Sequence, residues 1–96
     1  MVDQNYQQKL EHHRQNIDSI NAGLKRLLEQ RMEEVLAIGR LKAGNGKPVY
    51  DPERERQIYE ELSKDTSLPE WYIKSVFKPI IEGAKKMESE QKQEVR

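Results

Sequence analysis

Three long cationic side chains, Arg14, Arg31 and Lys42, stand where a helix would be expected to carry leucine or isoleucine. From Leu10 to Lys42, apolar residues recur in steps of four and three through Ile17, Leu24, Leu28, Val35 and Ile38, and the three cations fall on the same series. A buried cation without a partner costs several kcal/mol, so something must face these groups. Arg14 has Glu11 and Asp18 within local pairing distance along a helix. Arg31 has only Glu34, and Lys42 has Ile38, Gly39, Asn45 and Gly46 at its contact spacings, none of them a carboxylate. A tertiary carboxylate or an anionic ligand is therefore expected opposite Arg31 and Lys42. The eleven residues between them correspond to about 1100° of helix, about 20° from alignment, and about 16 Å along the axis. That spacing suits a small dianion held between two cationic heads. Arg14 lies about 25 Å before Arg31 by the same rise, so it reaches such a site only from the other chain of an antiparallel dimer.

Further chemistry-bearing groups lie beyond the seam. The stretch YDPERE supplies Asp51, Arg54 and Glu55; on sequence alone Asp51 reads first as a helix N-cap, and Arg54 and Glu55 as first-turn or surface charges. Glu88 falls seven residues after Ile81 and four after Ala84, on the apolar face of the last helix. If that position is buried, desolvation raises the carboxyl pKa and favours a neutral acid able to donate a hydrogen bond. His12 and His13 are adjacent rather than one turn apart, so no metal site is expected. No phosphate-cradling glycine loop, nucleophile elbow or Ser/His/Asp set can be assembled, and no cofactor is called for. Trp71 and Tyr72 read as packing residues.

These groups need helices to position them. The seam from Leu10 to Lys42 predicts one helix over about residues 4–43, too long for a compact chain of 96 residues without partners. Asn21 on the seam is a register-setting residue, and Gly23 costs about 1 kcal/mol without ending the helix. AGNGKP ends it, through Gly44, Asn45, Gly46 and Pro48. Asp51 followed by Pro52 starts a second helix over about 51–64, with a short stripe of Ile58, Tyr59 and Leu62. Ser67-Leu68-Pro69-Glu70 has the form of a capping box and predicts a third helix over about 68–90. Its apolar face is Trp71, Ile73, Val76, Phe77, Ile80, Ile81, Ala84 and Met87, with Pro79 inside as an expected kink. A polar tail over 89–96 is expected to fray. The predicted class is all-α in a single domain, three helices with a very long first one.

Composition narrows the partners. Hydrophobic residues are 34% of the chain and charged residues 35%, a thin core for one compact monomer, and the three stripes are buried most simply by pairing two chains. Seventeen basic and seventeen acidic residues give zero net charge, with no basic field for nucleic acid or an anionic membrane. There is no cysteine, hence no disulfide and no thiol chemistry. MVDQNYQQKLEHHRQ has no apolar segment of the kind a secretory signal or membrane span requires, so a cytoplasmic location is expected.

The ordered motifs R-x-x-I-D-x-I from Arg14, L-L-x-x-R-M from Leu27, I-G-x-x-K from Ile38 and V-x-D-x-x-R-E from Val49 resemble the all-helical chorismate mutases, the AroQ class. FKPIIEGAKKMESE extends the resemblance into the third helix. It implies an intertwined antiparallel homodimer that converts chorismate to prephenate, the branch point toward phenylalanine and tyrosine. It also implies that Arg31 and Lys42 of one chain and Arg14 of the other hold the substrate carboxylates, with Lys42 also reaching the ether oxygen. Arg54 would assist at a carboxylate, Asp51 and Glu55 would contact the ring hydroxyl and the Lys42 region, and Glu88 would make the second ether-oxygen contact. Ala84 stands where many members have a small hydroxyl residue, and Glu88 where many have glutamine. The neighbouring isochorismate pyruvate-lyases generally lack the acidic pair that Asp51 and Glu55 supply here. A non-catalytic module sensing chorismate or prephenate for a pathway enzyme partner is the alternative outside catalysis.

Overall fold

The structure, a computed structural model, describes residues 3–94. It has three helices: α1 over Tyr6–Gly44, α2 over Pro52–Leu62 and α3 over Glu70–Glu94. There is no strand among the described residues, and the all-α expectation is met. No helix among them is long and apolar enough to cross a membrane. The chain divides into two compact units, Met1–Glu33 and Glu34–Arg96.

The first unit is helical from Tyr6. Asp3 starts it: its backbone carbonyl accepts from the Tyr6 amide at 3.1 Å and its side chain accepts from the Asn5 amide at 2.8 Å. Gly23 leaves the helix unbroken. The seam residues Ile17, Leu24 and Leu28 are 54%, 53% and 45% exposed in the single chain. In the single chain these side chains form an apolar stripe on one helix face that no other element of the first unit covers.

The second unit carries the core. Ile73, Ile81 and Ala84 are buried on one face of α3, and Glu88 continues the same row. α2 packs on α3, its Ile58, Tyr59 and Leu62 half-buried. The last turn of α1 ends in a Schellman motif: Lys47 N–H donates to the Lys42 carbonyl at 2.8 Å and Gly46 N–H to the Ala43 carbonyl at 3.4 Å, with Gly46 at φ +65°. This left-handed residue turns the chain toward α2. Asp51 caps α2, accepting from the Arg54 amide at 3.1 Å, with Pro52 at the first helical position.

α3 departs from expectation at both ends. It begins at Glu70, where the Pro69 carbonyl takes the first amides, Tyr72 N–H at 3.0 Å and Ile73 N–H at 3.2 Å. Ser67 therefore lies outside the capping position, and the Thr66 hydroxyl accepts from the Leu68 amide at 3.1 Å instead. The predicted capping box does not form because the Pro69 ring disfavours helical backbone at Leu68, the residue before it, so the helix begins only after the proline. At the other end α3 runs on to Glu94 through most of the tail expected to fray; residues 95–96 lie outside the described residues. The helix stays continuous through Pro79.

Candidate active site

Glu88 sits in the apolar row of α3 with its side chain 9% exposed, the only buried charged side chain among the described residues. Its Oε2 has no hydrogen-bond partner among the described residues, where its ion-pair partner is Lys42, whose Nζ is 4.0 Å away. At that separation the two are an ion pair without a hydrogen bond. Burial pushes the Glu88 carboxyl above the ordinary glutamate range, and the Lys42 charge only partly opposes it. A carboxyl so placed holds its proton longer than a surface glutamate and can donate from it.

Lys42 projects from the last turn of α1, its side chain 24% exposed. Its ammonium donates to the Val49 carbonyl at 3.0 Å, so the connector before α2 fixes one of its three hydrogens and two remain. The carboxylate missing from its own helix is thus supplied across the unit by α3.

Close approach of α1 and α3 depends on Gly39. A Cβ there would lie 3.0 Å from the Gln91 amide and 3.3 Å from Cγ of Glu88, tighter than ordinary contact. With its amide nitrogen toward the Leu36 carbonyl at 3.2 Å, Gln91 accepts from Arg40 Nη1 at 2.9 Å and fastens α3 to the end of α1. The side chains that use the space left by Gly39 are Glu88 and Gln91.

The remaining candidates fall into two groups. Ala84 is buried one turn before Glu88. Glu55, which the resemblance assigns to the ring hydroxyl and the Lys42 region, is half-buried in the first turns of α2, and its ion-pair partner among the described residues is Lys85, whose Nζ is 3.3 Å from Oε2. Asp51 is an exposed cap, and Arg54 is exposed with only its amide engaged among the described residues. Arg14, exposed, and Arg31, half-buried, belong to the first unit, where neither has an ion-pair partner among the described residues. No group of His, Cys, Asp or Glu able to hold a metal occurs among the described residues.

Residues 13–89 match the family of chorismate mutase type II. The chain belongs to this family. A bifunctional chorismate mutase/prephenate dehydratase of Aquifex aeolicus (strain VF5) is 36% identical over 55 residues, which are 57% of this chain and 15% of that protein. The chain therefore spans far less than the length of that relative.

Within this chorismate mutase type II chain, three participants escaped the sequence reading. The Val49 carbonyl has no side-chain signature. Gln91 follows Glu88 by three residues and Lys85 precedes it by three, so both lie beside it on the helix. Lys85 also follows Ile81 by four, and a cation at that step was the available signal.

Proposed function

We propose that this chain is a chorismate mutase that converts chorismate to prephenate by holding the substrate in its reactive conformation and stabilising the charge that develops on the ether oxygen. The reaction is a concerted intramolecular rearrangement in which the ether C–O bond breaks as a C–C bond forms. It needs no nucleophile and no cofactor. What it needs is restraint of the substrate and preorganised donors aimed at one oxygen, in a site shielded from water.

The observation that carries this reading is the Lys42–Glu88 pair. Their polar atoms are 4.0 Å apart, and an oxygen about 2.8 Å from each would subtend roughly a right angle, within hydrogen-bond distance of both. A protonated Glu88 and the Lys42 ammonium are then two donors converging on one acceptor. The raised carboxyl pKa supports the protonated form, and the Val49 carbonyl keeps the ammonium from swinging away. Family resemblance assigns the carboxylates of the substrate to Arg31, to Lys42 and, from the second copy of a homodimer, to Arg14, with Arg54 assisting. It assigns the ring hydroxyl to Asp51 and Glu55. Ala84 offers no hydrogen bond where many members have a hydroxyl, which leaves the pair at the ether oxygen to do more.

The test is direct. Purified protein is given chorismate, its loss is followed, and the product is identified; prephenate is expected. Isochorismate, offered in parallel, is expected to yield no pyruvate. Chorismate left intact, or pyruvate from isochorismate, overturns the assignment.

A further inference from the structure

Lys85 lies on α3 between Ala84 and Glu88 in sequence, yet its ammonium is turned to α2 and the connector. Nζ is 3.3 Å from Oε2 of Glu55, 3.1 Å from Oε1 of Glu82 and 4.8 Å from the centre of the Tyr50 ring. The two carboxylates are not equivalent. Glu82 is 54% exposed and one turn away on the same helix, an arrangement that contributes little. Glu55 is 22% exposed, comes from another helix, and its Oε2 is shielded from water with no aligned hydrogen bond. A shielded carboxylate oxygen needs a counter-charge, and among the described residues the only ion-pair partner of Glu55 is Lys85. The Tyr50 ring closes another side of the ammonium, whose three hydrogens suffice for both carboxylates. Glu82 first, and then Glu55, hold the Lys85 ammonium above its ordinary range, so it stays charged across neutral pH.

We propose that Lys85 is a positioning residue for Glu55: it fixes one carboxylate oxygen against α3 and leaves Oε1, which has no partner among the described residues, to accept from the hydroxyl of bound substrate. This rests on the mutase reading, in which Glu55 meets the ring hydroxyl. Lys85 itself touches no reacting atom. Its effect is on how Glu55 is presented, and so on substrate binding more than on the bond-breaking step.

Steady-state kinetics with chorismate on the full chain test it. Lys85→Met is expected to raise KM about tenfold with kcat little changed, the pattern of one lost charge-assisted hydrogen bond in uniform binding. Lys85→Arg, which keeps the charge, restores KM to near that of the unsubstituted protein. In a Glu55→Gln background Lys85→Met adds little further, because the two act as a unit. Glu82→Gln leaves KM unchanged. If Lys85→Met does not fold, NMR titration of the Lys85 ammonium serves: it should move down in Glu55→Gln. An unchanged KM in Lys85→Met, no rescue by arginine, the same loss with and without Glu55, or an unmoved Lys85 titration overturns the inference and leaves the mutase reading intact. Failure of the unsubstituted protein to consume chorismate overturns both.

Discussion

In the proposed mutase, Glu88 sets the pH behaviour of the site. Its carboxyl pKa is raised in the folded chain, so the native state binds that proton more tightly than the unfolded state does. The stability it contributes is present below the ordinary glutamate range and is lost as pH rises through the native value. Glu88→Gln removes this decline, and urea melts across pH should show the difference between the two proteins narrowing toward acid. In the proposed mechanism the same proton is the donor at the ether oxygen, so turnover should fall as pH rises through the Glu88 pKa and flatten in Glu88→Gln. A turnover profile that the substitution leaves unchanged would remove Glu88 from the chemistry. Gly39 makes a separate prediction. Gly39→Ala gains about 1 kcal/mol of helix propensity, but its Cβ must displace Glu88 or Gln91. Stability is therefore expected to change little while turnover drops severalfold, which thermal melts and kinetics on one sample would separate. Arg14, Arg31, Lys42 and Glu88 each break an apolar pattern in the sequence, and of these the structure brings Lys42 and Glu88 together, 4.0 Å apart. Lys85 and Gln91 were not legible there, since nothing in one-dimensional spacing says that an edge cation crosses to α2 or that an amide reaches α1.

The helices were legible where a chain-breaking residue marks an end. Gly46 and Asp51 act as read, one ending α1 and the other starting α2. At the start of α3, S-x-x-E at Ser67–Glu70 predicts a cap, but it contains Pro69, and the helix begins after it. At its end the polar composition after Glu88 predicts fraying, whereas Gln91 ties α3 to α1 one turn beyond Glu88. Asp51→Ala should cost about 1 kcal/mol of stability, as losing an N-cap does, measured by urea denaturation. The loss should reach the site as well, because the same cap begins the helix that carries Glu55. Gly46→Ala, forced into a left-handed conformation, should destabilise by a similar amount, roughly 1 kcal/mol.

For the molecule as a whole, the apolar face of residues 3–33 is the feature that one chain leaves unexplained. Ile20 and Leu27 are each 60% exposed beside the seam, and burying them against a second copy is the arrangement that the family resemblance implies. Mixing Arg14→Ala and Lys42→Ala chains after unfolding and refolding tests this together with the shared site. Random pairing makes half of the dimers mixed, each with one intact site, so roughly a quarter of full activity should return. Recovery is absent if Arg14 acts within its own chain or not at all. The most direct test of the central claim is the turnover of chorismate by Lys42→Ala. Loss of one preorganised donor at a developing charge typically removes about 3 to 4 kcal/mol, so turnover should fall at least ~10²-fold with helix content preserved, whereas turnover near that of the unsubstituted protein would contradict a mechanism centred on the Lys42–Glu88 pair.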